Sequence, residues 1–210
     1  NMVRAYDALE YEGYLFLIME LLAGDSLHSL VSKGRRLTVH ELLQVMTGIC
    51  EAILHLHANG YLHLDIKPAN VMLLDNGTTK LIDYGLAVRR DAIRSGGVLY
   101  GTVGYMPPEQ QSAGFVDERT DIFAVGKVLQ FLLMKGVDSD PMQHDHVVLG
   151  ELQKLAEKMI DDDPGNRPEH ATDVLVSLLD LKKKLHAESG KWLPGDIASS
   201  PEQERKSLSS

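Results

Sequence analysis

The chain of 210 residues contains one cysteine, Cys50, and one tryptophan, and aromatic residues make up only 6% of it. A lone cysteine rules out an intrachain disulfide framework, so the sequence points to a reducing, intracellular compartment, cytoplasmic by default. Basic residues are scarce too: 21 lysines and arginines stand against 30 aspartates and glutamates, a net charge of −9. Nucleic acids and anionic membranes attract proteins through a positive footprint, so neither is an expected partner. Long apolar runs are missing as well. Tyr14 to Met19 and Val128 to Met134 fall far short of the ~18 residues that a membrane helix requires, and no membrane span is expected. The opening Asn-Met-Val-Arg has neither the charged start nor the apolar run of a secretory signal. With Met2 in second place, a truncated start is expected.

What is present is an ordinary globular composition, 44% hydrophobic and 24% charged. At this length ~70% of the unfolded surface can be buried, enough for a full core without metals or crosslinks. Val3 to Leu22 read as two short strands around a turn at Glu12-Gly13. Thr38 and Glu41 form a capping box, and Leu42, Met46, Ile49, Ile53 and Leu56 then share one helix face that ends near Asn59-Gly60. Val71 to Leu74 and Lys80 to Ile82 flank Asn76-Gly77, a dipeptide suited to the positive φ angles of a tight hairpin. Further helices are expected over about Glu118 to Lys135, Glu151 to Asp161 and Glu169 to Leu185, with Ile122, Val125, Leu129, Leu132, Val174, Leu178, Leu181 and Leu185 facing inward. Residues 188–210 lose all periodicity, are rich in Ser, Glu, Gly and Pro, and are expected to be disordered.

The chemistry concentrates in His63-Leu64-Asp65-Ile66-Lys67-Pro68-Ala69-Asn70, followed by Asp83-Tyr84-Gly85. Phosphoryl transfer needs a carboxylate to accept the proton of the attacking hydroxyl, and an amide oxygen with a second carboxylate to hold Mg²⁺ on the phosphates. Asp65 and Asn70 lie on one loop, and the Asn76-Gly77 hairpin folds the chain back so that Asp83 can face them.

These motifs resemble those of the eukaryotic-type serine/threonine protein kinases, whose catalytic loop reads H-R-D-x-x-x-x-N and whose metal motif reads D-F-G. Further matches follow in the family's order. Pro107-Pro108-Glu109 looks like the A-P-E motif, Thr120 to Gly126 like the central-helix motif, and Asn166-Arg167-Pro168 like the site of an arginine that pairs with the A-P-E glutamate. The resemblance covers residues 1–187, with 1–22 similar to the last N-lobe strands and hinge and 23–187 to the C-lobe. It implies an α+β kinase-like fold, mostly helical in its C-lobe with short β-hairpins and with the N-lobe truncated.

The resemblance also implies roles. Asp65 would be the catalytic base, Lys67 would meet the transferring phosphate, and Asn70 and Asp83 would hold Mg²⁺. Met19 would be the gatekeeper, Glu20 and Leu22 would offer hinge backbone to adenine, Asp25 or Ser26 would meet the ribose, and Met72 would floor the adenine pocket. ATP and Mg²⁺ are the implied cofactors and a protein with a Ser/Thr acceptor the implied partner; Lys67 and Gly101-Thr102 favour the serine/threonine branch.

Several departures matter. Nothing in the chain supplies the G-x-G-x-x-G loop, the V-A-I-K lysine or its partner glutamate, so the chain alone is expected to be weakly active or inactive. A pseudokinase-like binding module and a small-molecule phosphotransferase of the same fold are the alternative readings. Leu64 replaces the motif's arginine, so phosphorylation of Ser95 or Thr102 is not expected to be needed for activity. The stretch Val137 to Val148 is short for the family. His63 is expected to pack beneath Tyr84 and bond to backbone. His55-Leu56-His57 and His144-Asp145-His146 lack zinc-site spacing, and Cys50 is expected to be an inert core thiol.

Overall fold

The computed structural model describes residues 1–92, 100–112, 114–138 and 145–188. The first element is an antiparallel hairpin of β1 (Ala5–Tyr11) and β2 (Tyr14–Met19), with Tyr11 opposite Tyr14. Its two-residue turn places both Glu12 (φ 50°) and Gly13 (φ 78°) at positive φ, the geometry whose twist matches the flanking strands. Val3 lies outside the hairpin: its N–H donates to the Leu81 carbonyl at 3.1 Å, and Met2 bridges Leu81 in parallel.

A three-stranded sheet follows, β3 (Gly24–Ser26) pairing with β5 (Val71–Leu74) and β5 with β6 (Thr79–Leu81), while β4 (Tyr61–Leu62) pairs with β7 (Val88–Arg89). At the β5–β6 turn only Gly77 takes positive φ, at 82°. The expected tight hairpin forms across residues 75–77, closed by the Gly77 N–H donating to the Leu74 carbonyl and the Leu74 N–H to the Thr78 carbonyl, but Asn76 does not take the positive φ expected of it. Asn76 instead spends its side-chain oxygen accepting the Thr78 N–H at 2.9 Å, a local bond that competes with the left-handed conformation.

The helices carry the core. After α1 (Leu27–Ser32), α2 (Val39–Ala58) starts at the capping box formed by Thr38 and Glu41 and ends against Asn59. Its stripe of Leu42, Met46, Ile49, Ile53 and Leu56 is buried. Each such side chain contributes roughly 1.5–3 kcal/mol on leaving water. The short α3 (Pro108–Gln111) precedes α4 (Glu118–Lys135), which carries buried Ile122, Val125, Leu129 and Leu132 through the middle of the helical layer. There α4 meets α5 (Asp145–Met159) so closely that a Cβ on Gly126 would sit 2.7 Å from the Met159 side chain. α6 (Ala171–Glu188) closes the layer on α2 with Val174, Leu178, Leu181 and Leu185 buried.

Two helix boundaries differ from expectation. α5 begins at Asp145, six residues before Glu151, because Val148 completes its apolar face and is fully buried. α6 begins at Ala171 rather than Glu169, since the His170 N–H is drawn to Asp173 Oδ2 at 3.0 Å. Of the expected disordered tail, Glu188 instead ends α6, and residues 189–210, like Ser95 and His144, lie outside the described residues. Among the described residues no helix is long and apolar enough to cross a membrane.

Candidate active site

β4 leads directly into the loop that carries Asp65, and the carboxylate of Asp121 fixes that loop from below. Asp121 is fully buried on α4. Its Oδ2 accepts from the His63 N–H at 2.9 Å and from His57 Nε2 at 2.8 Å, and its Oδ1 accepts from the Leu64 N–H at 2.9 Å. Burial alone would raise the Asp121 pKa, but the bond from His57 and the neighbouring charges outweigh it and hold the carboxyl below its ordinary value. The loop thereby gains a rigid charged anchor beneath it.

That anchor forces an unusual backbone. Leu64 sits at φ 64°, a region that costs a non-glycine residue energy and persists only where surroundings over-determine it. Here they do: Asp121 takes its N–H, Gln110 Nε2 donates to its carbonyl at 2.9 Å, and its side chain is buried with Leu62 and Val116. His63 stacks edge-on against Tyr84 with ring centroids 5.4 Å apart, and its Nδ1 accepts the Asp65 N–H at 3.3 Å. Burial pushes the His63 pKa down, so the ring is neutral and packs as a structural part.

Asp65 therefore projects from a fixed backbone. Its Oδ1 accepts Thr102 Oγ1 at 2.6 Å, and its Oδ2 accepts Lys67 Nζ at 2.6 Å and Asn70 Nδ2 at 3.1 Å. Thr102 also accepts from Lys67 Nζ at 2.8 Å, closing a ring of three groups. Burial raises the Asp65 pKa, while the bonds from Lys67, Thr102 and Asn70 lower it by more, and the net direction is down. A carboxylate offers about four lone-pair positions. The three bonds leave one on Oδ1, free to accept a further hydroxyl.

Asp83 stands beyond Asn70. The Ile82 N–H donates to the Asn70 carbonyl at 2.9 Å, tying β6's exit to the loop that carries Asp65. Asp83 itself is at φ 64°, its Oδ1 accepting the Gly85 N–H at 3.2 Å. Tyr84 secures this strained residue: its hydroxyl donates to the Leu81 carbonyl at 2.6 Å, and burial pushes its pKa up to about 12, so the donor proton stays in place.

Above Asp83 opens a cavity of about 570 Å³ lined by Met19, Glu20, Leu22, Met72 and Asp83 together with Val3, Leu17 and Tyr84. Five of the residues singled out in the sequence thus share one apolar cleft with a carboxylate at its edge. Glu20 turns its side chain to Lys80 Nζ at 2.7 Å and to the Arg4 N–H at 2.8 Å. Asp25 and Ser26 are not among the lining residues. Ser26 caps α1 by accepting the Ser29 N–H, and Asp25 binds Lys33 at 2.7 Å and the Ser29 hydroxyl at 3.0 Å. The cleft suits a planar apolar base. The oxygen chemistry of Asp83 and of the Asn70 amide suits Mg²⁺, which prefers one or two carboxylates plus phosphate oxygens.

Farther out, Glu109 and Arg167 form a buried bidentate ion pair, Nη1 donating to Oε1 at 2.7 Å and Nη2 to Oε2 at 3.0 Å. Four of the site's working residues were not assigned roles in the sequence: Thr102, Gln110, Asp121 and His57. Thr102 and Asp121 lie within motifs, yet their partners are 37 and 57 residues away, a separation that no local spacing reveals. Among the described residues no group of three or more His, Cys, Asp or Glu could hold a metal by itself.

The family profile described as the protein kinase domain matches residues 1–186. The serine/threonine-protein kinase PknL of Mycobacterium tuberculosis (strain ATCC 25618 / H37Rv) is 36% identical over 137 residues, covering 64% of this chain and 34% of that protein. The probable serine/threonine-protein kinase PknB of Lactococcus lactis is 26% identical over 208 residues, 98% of this chain and 33% of that protein. Myosin light chain kinase family member 4 of Homo sapiens is 30% identical over 187 residues, 88% of this chain and 48% of that protein. The chain spans about a third of the length of the bacterial relatives it matches.

Proposed function

The chain belongs to the protein kinase family, and from that premise we propose that it transfers the γ-phosphoryl group of ATP to serine or threonine hydroxyls of a protein substrate, as part of a longer protein. The observation that carries this reading is the environment of Asp65: ionised, held on three sides by Lys67, Asn70 and Thr102, with one lone pair of Oδ1 left open.

In this proposal Asp65 accepts the proton of the substrate hydroxyl as its oxygen attacks the γ-phosphorus, and ADP leaves with the bridging oxygen. Lys67 places positive charge beside the base, where equatorial phosphate oxygens gain negative charge in the transition state. Thr102 orients Oδ1. Asn70 and Asp83 would hold Mg²⁺, which when bound neutralises charge on the phosphates. The apolar cleft of Met19, Leu22 and Met72 takes the adenine, and hinge backbone at Glu20 and Leu22 supplies its hydrogen bonds. Asp25 and Ser26 stand near the ribose position only if they release the bonds they make to Lys33 and Ser29.

The test is phosphorylation of a serine- or threonine-containing protein by the full-length protein with Mg²⁺ and γ-labelled ATP, compared with Asp65→Asn. Label on serine or threonine that depends on Asp65 is expected. Absence of transfer by the wild type, or transfer unchanged in Asp65→Asn, overturns the proposal.

A further inference from the structure

Glu118, the first residue of α4, faces an arginine and two histidine rings. Its Oε1 accepts Arg90 Nη1 at 2.6 Å, and its Oε2 lies 3.0 Å from His170 Nδ1 and 3.7 Å from His57 Nδ1. The His57 nitrogen is buried and has no hydrogen-bond partner among the described residues, so Glu118 is the group it faces. Arg90 follows β7 and reaches the same place by two further bonds. Its Nη2 donates to the His57 carbonyl at 2.7 Å, and its backbone N–H donates to the Gly60 carbonyl at 2.9 Å.

From this point two routes lead to Asp65. Through side chains, the His57 ring passes from Glu118 to Asp121, which holds the N–H groups of His63 and Leu64. Through backbone, β7 pairs with β4, whose residue Leu62 is followed by His63, Leu64 and Asp65. Arg90 also stands seven residues after Asp83, past the turn at Gly85-Leu86 and the end of β7. An ion pair with Arg90 nearly half exposed contributes little to stability. What it fixes is the placement of the segment after Asp83 against the loop that carries Asp65.

We propose that Arg90 and Glu118 are a positioning pair for phosphoryl transfer, locking the segment that follows Asp83 onto the catalytic loop through His57 and Asp121. This rests on the phosphoryl-transfer reading above. The anion that captures Arg90 is an encoded carboxylate, so the lock closes without an added phosphate group to supply the charge.

The experiment uses the full-length protein as wild type, Arg90→Gln, Glu118→Gln, the double variant and Arg90→Lys. Turnover with Mg²⁺-ATP and a serine peptide is divided by the folded fraction from circular dichroism, and amide exchange is followed over residues 61–64 and 86–90. Turnover per folded molecule is expected to fall about tenfold in each Gln variant and no further in the double variant, with Arg90→Lys within threefold of wild type. Exchange is expected to accelerate in both segments. A purely structural pair would lower the folded fraction and leave turnover per folded molecule unchanged, which overturns the proposal, as do losses that multiply in the double variant. A wild type without kinase activity defeats the functional reading instead. The exchange measurement then still decides the lock, and unchanged protection in Arg90→Gln overturns it.

Discussion

Thr102 Oγ1 donates to Asp65 Oδ1 at 2.6 Å while accepting from Lys67 Nζ at 2.8 Å, so one threonine hydroxyl orients the proposed base and its neighbouring cation together. Thr102→Val keeps the shape and deletes the donor. A hydrogen bond to a charged group is worth about 1.5–3 kcal/mol, so turnover is expected to fall about 10- to 100-fold, with Thr102→Ser close to wild type. Steady-state kinetics on the three proteins checks this, and equal turnover in Thr102→Val removes Thr102 from the site. Phosphorylation of Thr102 would set a dianion against Asp65 and is expected to abolish activity.

Asp65→Asn removes the proton acceptor while keeping size and most hydrogen bonds. Turnover is expected to drop by about 10²- to 10⁴-fold, with ATP affinity unchanged by equilibrium binding. The pH dependence carries a sign of its own. Because the Asp65 carboxyl is held below its ordinary value, it is ionised at neutral pH, and any loss of rate that its protonation causes belongs to the acid range. An acid limb near neutrality that disappears in Asp65→Asn would contradict the assignment.

The Glu109–Arg167 pair is a different kind of commitment. The Arg167 side chain is fully buried and also donates to the carbonyls of Asp161, Asp162 and Arg119. Arg167→Met strands a buried carboxylate, and breaking such a pair from one side costs about 3–5 kcal/mol. The melting temperature is expected to fall by roughly 10 °C. Glu109→Gln combined with Arg167→Met is expected to recover part of that loss, because the unpaired charge is gone. Calorimetry on the single and double variants measures both.

His170 is held above its ordinary 6.5 by the hydrogen bond it donates to Glu118 and by the nearby charges of Glu118, Glu169 and Asp173. A raised folded-state value means that its contribution is complete below 6.5 and is lost as pH climbs through the raised value. Stability is therefore expected to decline slightly with pH across that window, and His170→Gln to flatten the decline. Denaturant midpoints at several pH values test it; identical slopes in both proteins would show that Glu118 does not hold the protonated ring.

Much of this was written locally in the chain. The α2 stripe, the Thr38–Glu41 cap and the order of Asp65, Asn70 and Asp83 follow from spacing, since helix periodicity and loop motifs are short-range. Asn76-Gly77 marks the hairpin but misleads on the φ of Asn76, whose side chain bonds to Thr78, while Glu12-Gly13, with a weaker residue for such a turn, takes positive φ at both residues under the pull of the β1–β2 pairing. The α5 start was hidden because Val148 supplies the apolar contact only once α4 is beside it. Thr102, Asp121 and Glu118 act across dozens of residues, and their roles exist only after the helical layer has assembled.

Cys50 lies wholly inside α2, and burial pushes its thiol up to about 12. As the chain's one sulfhydryl, it is shielded from alkylating reagents while the helical layer is closed. The rate at which iodoacetamide marks it is thus a built-in clock for the opening of α2, one that needs no engineered probe.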